Sequence, residues 1–402
     1  MRLRINIQKI ISFTVAYMVS FMGLLSCGNA ITNAMGFYTS IDTALMYVTL
    51  WGLAVFVWLY VLKQKYFKSD VFFATFLIGV MYLLTLIFFQ ENTKYIFSAS
   101  YTYANHPILV FFVYSYTGFI AIRYLDDYEY LLKYLTLLSY VVVFASAIVF
   151  FVIKDTFAAQ YMVLSYNMLL QVCFLMIFPP AKGKILNNIV VGIGMFIVIF
   201  GGARGAVVGL SLVFVLYFFG FNKGHLTINS IIKTMLFFFG ILCIILYYNQ
   251  FIITATELID KIGFTSRNLI LLLNSSEDIS SGRFEMFSKM LDSMNLFGHG
   301  LYGDRVVLNG RYAHNLFFEW FIEYGVLLGT VLSFGYIMTL QKSFKIGDDL
   351  SKKLMLVCIP NGLVGLLFSS SYLAQQPAFY ILLGISINAI VKKKNISTNY
   401  DD

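Results

Sequence analysis

The sequence predicts an all-α, polytopic membrane protein with about twelve transmembrane helices and one large extracytoplasmic loop. Three observations predict it. Apolar residues make up 59% of the chain and charged residues only 12%, with a mean hydropathy of +0.79, which leaves too little polar surface to cover a water-soluble globule of 402 residues. Apolar runs of roughly 20 residues, the length that crosses about 30 Å of hydrocarbon, recur along the whole chain. Lysine and arginine collect on alternate connections between those runs.

The runs place spans at about 9–28, 42–62, 71–90, 106–122, 131–153, 160–179, 186–202, 205–220, 231–249, 315–340, 354–372 and 377–391. The first follows Arg2, Arg4 and Lys9 as a signal peptide would, but no small-residue cleavage site is evident and further spans follow at once, so it reads as retained. With both termini cytoplasmic, nineteen of the 28 basic residues fall inside and nine outside. Six of those nine lie in one long loop, where the charge rule has little force. The net charge of +8 and pI near 9.1 therefore report topology and require no nucleic-acid partner.

Residues 1–402 read as a single membrane domain, with residues 250–313 as its external loop. Within the loop Ser280 and Ser281 are candidate N-caps, and Phe284, Phe287, Met290, Leu291 and Met294 recur at helical spacing opposite Glu285, Lys289 and Asp292. This predicts an amphipathic helix at the membrane surface. Gly298, Gly300 and Gly303 mark turns, and Asn309-Gly310 is placed to close a small hairpin between residues 305–308 and 311–313.

Cys27, Cys173, Cys243 and Cys358 show no paired spacing, which favours neither disulfides nor zinc. No phosphate-binding glycine loop, HExxH motif or Asp-x-Asp pair is present, so ATP-driven transport and metal-dependent use of a nucleotide sugar lose support. The adjacent acids Asp126-Asp127 and Asp348-Asp349 read as solvated loop ends.

Three elements carry candidate chemistry. Arg204 stands in Gly201-Gly202-Ala203-Arg204-Gly205-Ala206 between two apolar runs, where an arginine is either a snorkelling anchor or a ligand for an anion that small neighbours allow to come close. Arg283 opens the amphipathic helix, where its charge opposes the helix dipole but suits an anionic ligand; an exposed arginine without a role is the alternative. Asn315, Glu319 and Glu323 follow at i, i+4 and i+8, so two carboxylates share one face of a helix that otherwise meets lipid. His314 precedes them and is either a helix-start residue or a base titrating near neutral pH.

In order, spacing and sidedness these elements resemble the O-antigen polymerase and O-antigen ligase superfamily of bacterial membrane glycosyltransferases. The resemblance runs from about Val190 to Gly329 and rests on Arg204 after small residues, Gly282-Arg283, the stretch through Gly298 and Gly300, and His314-Asn315 followed by Glu323 and Gly325. One departure is Ala203, where the family often has serine. The resemblance implies transfer of glycans carried on undecaprenyl pyrophosphate at the outer face of the bacterial cytoplasmic membrane, without cofactor or metal. It further implies that Arg204 and Arg283 hold the pyrophosphate and that His314, supported by Glu323, deprotonates the acceptor with inversion at the anomeric carbon. Asn315, Glu319, Glu323, Arg305 and Arg311 are then the candidates for substrate binding, and a chain-length regulator protein and membrane lipid are further partners. A repeat-unit polymerase is the leading expectation, because the loop is modest and carries no added soluble domain. A ligase acting on a lipid or protein acceptor shares the donor, and a lipid-linked oligosaccharide flippase would distribute its charges along a central cavity with short loops on both sides.

Overall fold

The computed structural model describes residues 6–36, 41–64, 67–97, 106–153, 161–201, 203–220 and 283–398. The expected span at 231–249, the caps Ser280 and Ser281, Cys243 and the loop as far as residue 282 lie outside the described residues. All described regular structure is helical: α1 Ile7–Ala34, α2 Ile41–Leu62, α3 Ser69–Phe88, α4 Pro107–Arg123, α5 Glu129–Phe151, α6 Tyr161–Ile177, α7 Lys184–Phe200, α8 Arg204–Val215, α9 Arg283–Ser293, α10 Gly303–Val307, α11 Leu316–Ile346, α12 Asp349–Phe368 and α13 Pro377–Thr398. Among these, six are long and apolar enough to cross a membrane: α1, α2, α3, α5, α11 and α12. The protein is therefore an all-α, polytopic membrane protein. Its exterior agrees, since Phe72, Phe76, Leu83 and Ile87 of α3 and Val331, Phe334 and Met338 of α11 are exposed in a chain whose backbone polar groups are paired within helices.

The chain divides into two compact units, one of Met1–Met22, Ser40–Leu138 and Gly282–Asp402, the other of Gly23–Thr39 and Ser139–Ser281. In the second, α6 and α7 pack closely, with Gly194 against Val172 and Met168. The buried Asn187 of α7 accepts from the Tyr140 hydroxyl at 2.9 Å and donates to the Leu175 carbonyl at 3.1 Å. Polar bridges of this kind tie helices together where lipid supplies no hydrophobic drive between them.

In the first unit α4 and α13 are the most intimate pair, Gly384 lying against Ile122 and Phe119. Its polar residues gather at the two helix ends. At one, the buried Arg123 pairs with Asp70 at 2.5 Å and donates to Asn388, Lys68 donates to the Arg123 carbonyl, and Asp348 pairs with Lys392 at 3.1 Å. Asp348 also caps α12 by accepting from the Ser351 amide at 2.7 Å. At the other end the turn after α3 meets the segment before α10: Asn92 Nδ2 donates to the carbonyls of His299 and Leu301 at 2.7 and 2.8 Å, and the Leu301 amide donates to Thr85 Oγ1 at 3.0 Å. This second end holds the candidate site.

Candidate functional site

The site begins with α9. Met286 and Met290 are buried against Leu308, Ala313 and Ile322, with Phe287 and Met294 partly covered, and the Phe287 ring stacks on Phe318 at 4.8 Å. The expected apolar stripe is thus two stripes. Phe284 and Leu291, seven residues apart and so on one face, point outward, while Met286 joins the buried side. The helix is docked on α11 by its methionines and keeps a second apolar face exposed.

The segment after α9 meets a break in α11. Gly325 has φ 77° and ψ 169°, which leaves carbonyls of the preceding turn without helical partners. The His299 and Gly300 amides take the Ile322 and Glu323 carbonyls at 2.8 and 2.9 Å, and the Val326 amide donates to the Asn295 carbonyl at 2.9 Å. Glycine is required on both sides of this crossing: a Cβ at Gly298, whose φ is 79°, would lie 2.4 Å from the Glu323 oxygen, and one at Gly325 would lie 2.2 Å from the Leu296 oxygen. Gly298 and Gly300 make turns as expected, both with positive φ. The expected hairpin at Asn309-Gly310 is not a hairpin. Both residues do have positive φ, 54° and 93°, but the preceding residues form α10, and the Leu308 amide donates to the Asp304 carbonyl at 2.9 Å instead of to a second strand.

Behind this crossing lies a buried polar network. Glu319 and Glu323 share the inner face of α11, as their spacing requires, and are 0% and 1% exposed. Glu319 accepts from the Ser371 hydroxyl and from the Tyr372 amide at 3.4 Å. Glu323 accepts from the Tyr302 amide at 2.7 Å and from the Tyr372 hydroxyl, which in turn accepts from Tyr324 at 2.7 Å. Asp304 accepts from Arg305 Nη1 at 3.0 Å on one oxygen and from the Ala313 amide at 2.8 Å on the other. Arg305 also donates to Ser371 Oγ at 3.2 Å, stands 3.9 Å from Glu319 and lies over the Tyr302 ring at 4.4 Å. Burial works against its charge, but Asp304 and Glu319 outweigh that and push its pKa further up.

Asp304, Glu319 and Glu323 offer oxygens within 4.8 Å of one another, and among the described residues they are the group with metal-ligand spacing. The fit to an ion is partial, since every one of these carboxylates already accepts protein donors and Arg305 supplies a cation beside two of them.

His314 sits at the edge of this network with φ 52°, a left-handed conformation that costs a non-glycine residue about 1 kcal/mol or more. The surroundings hold it there. Its ring lies 4.0 Å from that of Tyr312, whose hydroxyl donates to the Ser369 carbonyl at 2.9 Å, and Asn315 caps α11 by accepting from the Phe317 and Phe318 amides at 3.1 and 3.3 Å. Nδ1 is buried with no hydrogen-bond partner. Burial, then the charge of Arg283, with a smaller part from Arg311, hold the His314 pKa down at about 4 against the pull of the Ser369 carbonyl. The ring is therefore neutral at physiological pH, with Nδ1 enclosed and unpartnered.

The structure thus brings together Arg283, Arg311 and His314. Arg283 is half-buried and Arg311 exposed, and neither is paired with a carboxylate among the described residues. Arg305, Glu319, Glu323 and Asn315 sit beneath them, engaged with protein partners. Glu323 is bonded to Tyr372 and Tyr302. Arg204 is the first residue of α8 in the second unit, after Ala203 in an extended conformation; its side chain lies outside the described residues. Asp304, Tyr302, Tyr324, Ser371 and Tyr372 were not among the expected site residues. The polar run Ser369–Gln376 between two apolar runs was the signal for the last two, while Asp304 beside Arg305 carried none of its own.

Comparison with protein-family models, with curated proteins and with solved structures finds no match to this chain.

Proposed function

We propose that this protein is a polymerase that joins undecaprenyl-pyrophosphate-linked oligosaccharide repeat units into a surface polysaccharide, O-antigen or capsule, at the outer face of the bacterial cytoplasmic membrane. The observation that carries the reading is the His314 imidazole, whose Nδ1 has no hydrogen-bond partner and whose pKa is held down by burial and by the charges of Arg283 and Arg311. An anion is wanted by the two guanidiniums, and a proton by the imidazole. On this reading the membrane part has about twelve spans, both termini are cytoplasmic, and the segment around α9 faces outward, as the distribution of lysine and arginine supports.

The reaction needs no metal in this scheme. Arg283 holds the pyrophosphate of the donor, with Arg311 at the exposed rim. His314 takes the proton of an acceptor hydroxyl as that oxygen bonds to the anomeric carbon. The bond from that carbon to the pyrophosphate oxygen breaks, undecaprenyl pyrophosphate leaves, and the configuration inverts. The guanidiniums stabilise the charge that grows on the departing phosphate. Arg305, Glu319 and Glu323, which the sequence offers as substrate-binding residues, serve by holding Tyr302 and the turn before α11 beneath the substrate, and Asn315 by capping α11.

Purified protein supplied with synthetic undecaprenyl-pyrophosphate repeat units alone should make polymer. Polymer only after addition of a lipid-core or protein acceptor would make the enzyme a ligase, and transbilayer movement without any new glycosidic bond would make it a flippase.

A further inference from the structure

We propose that Asp304 is a positioning residue for His314, acting through the Ala313 amide, and that Arg305 is the counter-ion that fixes it in place; this rests on His314 being the base. Asp304 is wholly buried, and its two oxygens are divided between two tasks. One is anchored by Arg305, and the other reaches nine residues along the chain to the N–H of Ala313, in the Tyr312–Ala313 peptide one link before His314. On the far side of His314, Asn315 is fixed by the α11 cap and by donation of its Nδ2 to the Leu367 carbonyl at 3.4 Å. Arg305 is itself referenced to α11 through Glu319 and to the α12–α13 connection through Ser371. The residues on both sides of a left-handed histidine are thereby anchored, Ala313 through Asp304 of α10 and Asn315 through its cap on α11.

His314 faces Arg283 from α9, Arg311 and Tyr312 from the preceding turn, and the Ser369 carbonyl from the α12–α13 connection. Holding the ring among those cations and away from water keeps it neutral. Freeing the turn lets water reach the ring and returns its titration toward the ordinary value near 6.5.

The test uses the full chain in detergent with ¹³C-labelled histidine, of which there are four, the His314 signal being assigned with His314→Asn. In the wild type it should titrate at about 4. Asp304→Leu removes the tie and leaves Arg305 with Glu319 as its ion-pair partner. Its His314 should titrate near 6.5, and turnover should fall by roughly 10²-fold, as expected for a displaced base, with KM little changed. Asp304→Asn keeps an oxygen for the Ala313 amide and should keep the wild-type titration. If Asp304→Leu does not fold, Asp304→Leu/Arg305→Met removes the pair without altering net charge and should show the same shift. An unshifted His314 in the folded leucine variant, or an asparagine variant as perturbed as leucine, overturns the proposal. A shifted titration in a protein whose His314→Ala form still transfers glycan upholds the positioning role and removes the base assignment.

Discussion

Gly325→Ala should be among the most damaging single-methyl substitutions in the chain. The native φ of 77° with ψ of 169° lies in a region that only glycine occupies at ease, which costs alanine about 1–3 kcal/mol. The added Cβ would stand 2.2 Å from the Leu296 oxygen and 2.6 Å from the Gly298 nitrogen. Both are backbone atoms, and the Gly298 nitrogen is held by its hydrogen bond to Asn295 Oδ1, so the overlap is relieved only by displacing the segment, for about another 1–3 kcal/mol. The natural control is Gly335→Ala on the same helix, where a Cβ meets nothing within 4 Å and alanine should gain about 0.5–1 kcal/mol. Thermal denaturation of the two purified variants in the same detergent, followed by loss of monodisperse elution, should show Gly325→Ala well below wild type and Gly335→Ala at or above it. Equal behaviour of the two would mean that α11 is not broken at Gly325, and the crossing that seats Tyr302 on Glu323 would fall with it.

Three further outcomes follow from the site. His314→Ala should lower transfer by about 10²- to 10⁴-fold with normal membrane insertion; in the wild type, because the folded pKa is depressed to about 4, the neutral base persists as the pH falls, so the rate should be level from about pH 8 to 5.5 and drop only as pH approaches 4. A bell centred near neutrality would assign the limiting base elsewhere. Arg283→Lys should lose most turnover while Phe284→Lys at the adjacent exposed face does not, since a lysine keeps the charge but not the planar fork; full activity in Arg283→Lys would reduce that residue to a surface charge. Ser281→Cys should react with an impermeant thiol reagent in intact cells, and labelling only after lysis would reverse the orientation; Cys27, Cys173 and Cys358 are buried and contribute little background.

What could be read from the sequence was whatever depends on a period or a local propensity. The long apolar helices, the shared face of Glu319 and Glu323 and the turns at Gly298 and Gly300 are all of this kind. What escaped depends on contacts distant along the chain. Nothing near Asp304 indicates that it holds the amide of Ala313, and nothing near Tyr372 indicates that its hydroxyl serves Glu323, 49 residues away. The hairpin expected at Asn309-Gly310 failed for the same reason: its turn chemistry was right, but the flanking residues are committed to α10 and to the network behind it. The two-faced character of α9 was legible in principle, since Phe284 and Leu291 are seven residues apart, but which stripe would be covered depended on α11.

The hydroxyl donors to Glu319 and Glu323 come from Ser371 and Tyr372, beyond the whole of α12 in the chain. During synthesis both carboxylates therefore enter the membrane region on α11 before those hydroxyls exist, with only the Tyr302 amide and Arg305 already made. A chain stopped short of Ser371 keeps two acids on an otherwise apolar helix with no hydroxyl to meet them, a condition costly enough to hold that helix back from its final seat. Completion of the last hairpin is thus written into the polar chemistry of the site.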